Sequence, residues 1–491
     1  MPSLFLSGFE KLVTDRADAP AVFALSEDRV LSFGDIAREY QQMTSVFAGA
    51  KIPEGSCVIA LAGNNASWFS LFLTCIARGD TLLSLDDDIK VEEAERIASR
   101  YAAVAVVAPA SRHDLRHELS PALPGELVLT RRQPREPKSF EPARLLKLTS
   151  GSSGEPKAVR VTEENLWNDA RHIVDAMAIG EKDVNYGVIP LAHSYGLGNL
   201  VAPLFLQGTP IALRRMFVPG LLFDDVAETG ATILPGVPFL FQKILAQYGN
   251  VGLPPSVRLL VTAGASIEPD LVSSFKERLG MKIHSFYGSS ETGGITYDDD
   301  NDLTEPLNVG KAMPHTEVSF RSDPRAPSGE RRIHVRGNAV ALGYVEAPDD
   351  ESLAEFVDDG FATGDLGRLD ECGRLYLTGR LTSFVNVAGR KVDPREAERV
   401  LMEMPEIADA KVVGRPCDKR GQKLVAFVVP ASGVGTLGQM QVRNHCAKKL
   451  SAHKIPRDVI VVDAMPVTPR GKLDRKALFA LVAESDTPSA L

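Results

Sequence analysis

The sequence predicts an α/β fold: a large N-terminal domain of layered, mostly parallel sheets with helices over residues 1–380, and a small α+β domain over residues 381–491. Three observations carry this. Short apolar runs bounded by Gly or Pro alternate with helical patterns through most of the first 380 residues, the mark of βα units. Beyond Gly379-Arg380 the rhythm changes to closely spaced strands and helices. The length of 491 residues, with 44% hydrophobic and 24% charged residues, is that of a folded protein and excludes disordered, collagen-like and coiled-coil chains.

Taken in order, Met1 to Glu10 has no basic leader and does not read as a signal peptide. Cys57 to Leu61, before Gly63-Asn64-Asn65, reads as a buried strand. Trp68 to Ile76 is the most apolar stretch and is too short to cross a bilayer. Val91, Ala94, Ile97, Ala98 and Tyr101 share one face of a helix, and Val104 to Val107 follows as a strand. Leu145 to Leu148 is strand-like. Thr162 is the predicted N-cap of a helix with Glu163 and Glu164 in its first turn and Leu166, Ala170, Ile173, Val174 and Met177 at helical spacing. In the C-terminal part, Val385 to Val392 reads as a hairpin-like stretch. Asp393-Pro394 opens a helix, an N-cap followed by Pro at the first position, with Ala397, Val400 and Leu401 on its apolar face. Strands at Ala410 to Val413 and Lys423 to Val429 and a helix near Gln439 to Leu450 complete the unit.

The formal net charge is -9, which argues against nucleic acid as the main partner. That charge is uneven. Residues 381–491 carry 18 Lys and Arg against 12 Asp and Glu, a formal +6, leaving -15 for residues 1–380. Ordinary surface charge and a basic cap over a polyanionic ligand both fit this divide. Five widely spaced cysteines, Cys57, Cys75, Cys372, Cys417 and Cys446, form no disulfide framework and no zinc motif, so a reducing, cytoplasmic location is expected.

Four segments carry candidate chemistry. Leu148 to Lys157 is rich in Gly and hydroxyl residues and lies between a strand and a helix, where backbone N–H groups can wrap phosphate oxygens and Lys157 adds charge. The same composition fits a linker, and Pro156 before the lysine breaks the Walker consensus. Ser285 to Glu291 offers a tyrosine face for a purine, a serine for phosphate and a carboxylate suited to Mg²⁺. Phe361-Ala-Thr-Gly-Asp365 places a carboxylate after a turn, where it can take two ribose hydroxyls. Pro469-Arg-Gly-Lys472 puts a lysine on a loop, a position that otherwise reads as plain surface.

In this order and spacing the segments resemble the adenylate-forming superfamily, which includes acyl- and aryl-CoA ligases, peptide-synthetase adenylation domains and firefly luciferase. The resemblance spans nearly the whole chain and is nearest to the acyl- and aryl-CoA ligases. It implies that Thr149, Ser150, Gly151, Ser152, Ser153, Gly154 and Lys157 form the phosphate loop. Tyr287 and Gly288, with Gly264, Ala265 and Ser266, would meet adenine, and Ser290 would touch phosphate. Glu291, with Thr149, would hold Mg²⁺; Asp365 would bind ribose, and Arg380 ribose or phosphate. Lys472 would be the catalytic lysine, with Glu291 and His193 completing the catalytic set.

The implied reaction is ATP-dependent activation of a carboxylic acid to acyl-AMP with release of pyrophosphate, then transfer to the thiol of CoA as the small domain rotates. His193 in Pro190-Leu-Ala-His193-Ser-Tyr-Gly196 resembles the histidine at the acid-pocket entrance, and a fatty or aryl acid is the expected substrate. No Phe-Asp segment of the amino-acid-activating relatives is found between Ala192 and Leu204. Leu234 to Pro238 and Val261 to Ala265 resemble pocket walls. Thr382, Gly389 and Lys391 map to the hinge and CoA face. Thr382 stands where Asp or Lys is usual, Asn386 where Lys is common and Ala158 where Gly is usual. Two other readings are carried: loading of the phosphopantetheine of a separate carrier protein, and a non-catalytic nucleotide-binding homologue.

Overall fold

The computed structural model describes residues 3–481 apart from 88, 116–119, 135, 137, 150–156, 304, 306, 325, 327–328, 346–354, 382–384, 388–389, 393, 418–420, 435–436, 451–453, 468–472, 475–476 and 479. The chain divides into two compact units. The first comprises residues 1–321, 333–363 and 368–377, and the second 322–332, 364–367 and 378–491.

In the first unit, one sheet has Thr81–Ser84, Cys57–Ala60 and Ala105–Pro109 running parallel at its centre, with Ala143–Thr149 parallel to Thr81–Ser84. These strands are apolar almost residue by residue because helices cover both faces. Helix Val91–Arg100 lays Ala94, Ile97 and Ala98 on one face of the sheet. The apolar stretch noted in the sequence forms the helix Trp68–Ala77, buried along nearly its whole length. Among the described residues no helix is long and apolar enough to cross a membrane.

Its environment is an aromatic cluster. Phe205, fully buried, stacks on Phe72 with centroids 5.6 Å apart and meets the edges of Phe5, Phe9 and Phe69. Such pairs add to the area they bury. Phe205→Ala is expected to destabilise the first unit by about 3–5 kcal/mol, read as a lowered midpoint in urea unfolding.

The second sheet of this unit runs parallel through Ile211–Leu213, Asn185–Gly187, Ile233–Gly236, Leu259–Thr262 and Ile283 to Ser285. There the pattern changes. Gly293–Tyr297 returns antiparallel to Ile283–Ser289, and Asn308–Ala312 and Arg374–Arg380 continue antiparallel. The sequence reads all these apolar runs alike, so the expected parallel units stop at this strand and a β-hairpin replaces the next crossover helix. Parallel strands present their carboxyl ends together, and the candidate residues Gly264, Ala265 and Ser266 lie just beyond one of those ends.

The second unit has its own sheet, in which Ile407–Cys417 and Gly421–Pro430 make a long antiparallel pair flanked by the hairpin Val385–Val387 and Arg390–Val392. Helices Pro394–Met402 and Gln439–Ala447 supply Ala397, Leu401, Val442 and Cys446 to a core with Val412, Leu424 and Ala426. The hairpin, both strands and both helices match the elements expected from sequence. The strands are longer because their alternate solvent-facing residues hide the ends of the pattern.

Candidate active site

Thr149 and Lys157 face each other in the antiparallel pair of Ala143–Thr149 with Lys157–Thr162, and Thr149 Oγ1 donates to the Lys157 carbonyl at 3.4 Å. The two ends of the Ser- and Gly-rich segment are thereby held together. Ser150, Gly151, Ser152, Ser153 and Gly154 lie outside the described residues. Thr162 Oγ1 accepts the Asn165 N–H at 3.0 Å while Asn165 Oδ1 accepts the Thr162 N–H at 3.1 Å, a reciprocal cap that starts helix Glu163–Ala176.

That helix carries Asp169 inward, where Oδ1 accepts the Gly294 N–H at 2.8 Å. Gly293 has φ +68°, and a Cβ there would lie 2.5 Å from Asp169 Oδ1, so the turn after Glu291 packs directly on this carboxylate. Gly288 is equally constrained, since a Cβ would come 2.5 Å from the Gly293 carbonyl oxygen. Lys147, on Ala143–Thr149, is 6% exposed; burial lowers its pKa against the opposing fields of Asp169 and Glu291. Burial raises the Asp169 carboxyl, opposed by Lys147 and the Gly294 amide. Cation and carboxylates thus share one buried region.

Glu291 is 8% exposed and held on three sides. Its Oε1 accepts the Tyr344 hydroxyl at 2.8 Å, its carbonyl accepts the Ala341 N–H at 2.8 Å, and its N–H donates to Ser289 Oγ at 3.2 Å. Tyr344 is delivered by the short strand Gly343–Tyr344, which pairs with Lys157–Thr162 opposite Val159. Burial and the Glu291 charge push the Tyr344 phenol up, so it stays a donor.

Ser290 Oγ accepts from Ser194 Oγ at 2.9 Å. Tyr287 is half-buried, pairs with Thr296, and rests against the cluster of Ile295, Ile333, Val335 and Leu375. Gly264 has φ +81°, and Ala265 and Ser266 after it are exposed just past Leu259–Thr262. Gly236 and Thr262 are register partners, so the two segments expected as pocket walls end side by side.

His193 precedes a short helical turn and its Nε2 lies 3.2 Å from Asp86 Oδ1. Asn64 ties the same loop down: its Nδ2 donates to the Ile189 carbonyl at 3.2 Å and its Oδ1 accepts the Leu191 N–H at 2.9 Å. A Cβ on Gly196 would sit 2.1 Å from the Pro190 carbonyl oxygen, which fixes the tight return of this loop.

In the second unit Asp365 and Arg380 form an ion pair, Nε to Oδ1 2.6 Å, so the two residues expected at the nucleotide sugar are brought together. Lys391 lies in the strand Arg390–Val392, and its side chain is outside the described residues, as are Thr382, Gly389 and Lys472.

The donor set at Glu291 fits Mg²⁺, which typically takes one or two carboxylates and completes its shell with water and substrate phosphates. Among the described residues no group of three or more His, Cys, Asp or Glu side chains is placed to hold a metal alone.

The pattern of AMP-binding enzymes matches residues 9–345, more than half of the chain. The chain belongs to the AMP-binding enzyme family. The C-terminal domain of AMP-binding enzymes matches residues 396–472. Sulfoacetate–CoA ligase of Cupriavidus necator is 27% identical over 493 residues, covering 94% of this chain and 94% of that protein. 2-Succinylbenzoate–CoA ligase of Geobacillus kaustophilus is 30% identical over 343 residues, 69% of each chain. Alignments to the similar curated proteins span from 62% to 97% of their lengths. The crystal structure of ATP-bound MatB from Rhodopseudomonas palustris superposes with a TM-score of 0.81 at 24% identity, covering 96% of this chain and 97% of that one. For this AMP-binding enzyme, sequence reasoning missed Tyr344, Asp86, Asp169 and Lys147. Lys147 carried a signal, a charge inside the apolar strand run Leu145 to Leu148.

Proposed function

We propose that the protein is an AMP-forming acid–thiol ligase that joins a fatty or aryl acid to CoA in the cytoplasm. The observation that carries this is the Ser194–Ser290 hydrogen bond. It ties the His193 loop, expected at the acid, to the Tyr287–Glu291 segment, expected at ATP, and adenylation needs the acid carboxylate within bonding reach of the α-phosphate.

The first half-reaction follows from the side chains. An acid carboxylate oxygen attacks the α-phosphate in line, the bond to the β-phosphate oxygen breaks, and pyrophosphate leaves. Lys157 and the hydroxyls of the 149–154 segment bind phosphate oxygens. Tyr287 stacks on adenine, and Asp365 with Arg380 takes the ribose. Glu291, with Thr149, would hold Mg²⁺, which when bound neutralises charge on the phosphates. Tyr344 keeps the Glu291 carboxylate oriented before any ligand arrives, so little reorganisation is needed at the reacting centre. Lys472 supplies the remaining positive charge as residues 381–491 form a closing lid. The acyl-adenylate is a mixed anhydride; the CoA thiolate attacks its carbonyl and AMP departs. The +6 charge of residues 381–491 supports steering of anionic CoA toward the site.

The test is thioester formation from ATP, Mg²⁺ and a panel of fatty, aryl and dicarboxylic acids, with CoA and phosphopantetheinylated carrier proteins as rival acceptors. The expected result is a CoA thioester with one AMP and one pyrophosphate per turnover. Thioester on the carrier alone would move the protein to the acyl-AMP ligases. ADP formation, or no product with any acid, would overturn the reading.

A further inference from the structure

Lys147 is a buried cation in an apolar setting, standing between Leu146 and Leu148 in Ala143–Thr149. Its register partner across the antiparallel pair is Val159, and on the other side of Lys157–Thr162 the same Val159 is the partner of Tyr344. Register partners leave a sheet on one face, so Lys147 and Tyr344 share a face with Leu145, two residues earlier. Leu145 packs in one cluster with Leu166 and Ala170 of helix Glu163–Ala176, which therefore covers this face. On it Tyr344 meets Glu291, and the covering helix sends Asp169 Oδ1 to the Gly294 N–H at 2.8 Å. Asp169 is enclosed at both oxygens: a Cβ on Gly293 would lie 2.5 Å from Oδ1, and one on Gly198 would lie 3.0 Å from Oδ2. Two carboxylates and one ammonium are thus buried together, and the ammonium feels the field of both acids. An uncompensated buried charge is costly, whereas a compensated one is tolerated.

We propose that Lys147 and Asp169 are a charge-balanced pair of positioning residues for Glu291: Asp169 hooks the Gly293–Gly294 turn that follows Glu291, and Lys147 cancels the charge of the hook. A backbone N–H is held more strongly by a carboxylate than by a neutral acceptor. A carboxylate there also adds negative charge beside the metal-holding acid. With Lys147 in place the pair is neutral, and Glu291 alone sets the net charge of the metal-holding position. This inference rests on the reading of Glu291 as the metal carboxylate of an adenylating enzyme, and it adds what holds that carboxylate in place.

Lys147→Met and Asp169→Asn each remove a charge with little change of shape, and the amide oxygen of asparagine can still accept the Gly294 N–H. In ligand-free protein each single variant is expected to lower the melting temperature by about 5 °C or more, and the double variant by less than either. Hydrogen exchange of the peptide containing Gly294, on the same ligand-free protein, is expected to quicken about tenfold or more in Asp169→Ala. In acid-dependent ATP–pyrophosphate exchange the two single variants are expected to move the Mg²⁺ concentration for half-maximal rate about threefold or more in opposite directions. It rises in Asp169→Asn, where an unbalanced ammonium repels the metal, and falls in Lys147→Met, where an extra carboxylate attracts it. The double variant is expected to bring that concentration back to within about twofold of wild type. Single variants that shift the Mg²⁺ requirement the same way overturn the pairing. So do melting shifts that simply add in the double variant, or a Gly294 peptide that exchanges no faster in Asp169→Ala. No ATP–pyrophosphate exchange by wild type with any acid would instead overturn the enzymatic reading, and the melting and hydrogen-exchange results would still decide the pair.

Discussion

Lys472→Ala is expected to slow acid-dependent ATP–pyrophosphate exchange by roughly 10²–10³-fold, while thioester formation from supplied acyl-adenylate stays within a few-fold of wild type. The reason lies in where charge develops. Attack on the α-phosphate accumulates negative charge on phosphoryl oxygens, and an ammonium group brought to those oxygens stabilises the transition state more than the ground state. The thiol step has no such demand, because AMP leaves from an already formed anhydride. Lys472 stands within the segment 396–472 that matches the C-terminal domain of AMP-binding enzymes, on the Pro469-Arg-Gly-Lys472 sequence. A domain that rotates between the half-reactions would present it in the first and withdraw it in the second. Equal loss in both half-reactions, measured with the same preparation, would contradict that division.

Glu291→Gln is the second large effect. The substitution preserves shape, and Tyr344 can still donate to the amide oxygen, so the hydrogen bond at 2.8 Å survives. What goes is the charge. Adenylation is expected to fall by about 10²-fold or more, with the Mg²⁺ concentration for half-maximal rate rising in parallel. Thermal stability is expected to change little, since burying an amide costs less than burying a carboxylate. A variant that keeps its full rate at unchanged Mg²⁺ dependence would remove Glu291 from the metal-holding role. A collapse of folding together with activity would instead assign the residue to the buried charge cluster with Lys147 and Asp169.

Local signals made much of this molecule legible before any coordinates. Thr162 before Glu163 and Glu164 is a cap that the sequence exposes, and the helix Glu163–Ala176 begins there. Pro394 opens its helix, and the apolar positions Ala397 and Leu401 fall in the core. Gly288 belongs to the motif stretch Ser285 to Glu291, and the structure supplies the reason: a side chain there would collide with the Gly293 carbonyl.

What escaped the sequence was pairing across distance. Tyr344 and Glu291 are 53 residues apart, and neither periodicity nor composition links them. Asp86 lies in the run Leu85 to Asp87, and nothing in the sequence links it to His193, whose Nε2 it approaches to 3.2 Å. The resemblance puts Asp365 and Arg380 each at ribose or phosphate as an expectation, but nothing in the sequence pointed to their mutual ion pair. The change from parallel to antiparallel after Ile283–Ser289 was equally hidden, because Gly293–Tyr297 is apolar in either orientation.

The central claim is that this protein activates a carboxylate as an adenylate, and isotope exchange tests it without a thiol acceptor. Protein, ATP, Mg²⁺ and labelled pyrophosphate are incubated with one acid at a time, CoA being left out. The account predicts label entering ATP only when a suited acid is present, and strongly reduced by both Glu291→Gln and Lys472→Ala. Label entering ATP at the same rate without acid, or no exchange with any acid while ATP binds normally, would contradict it.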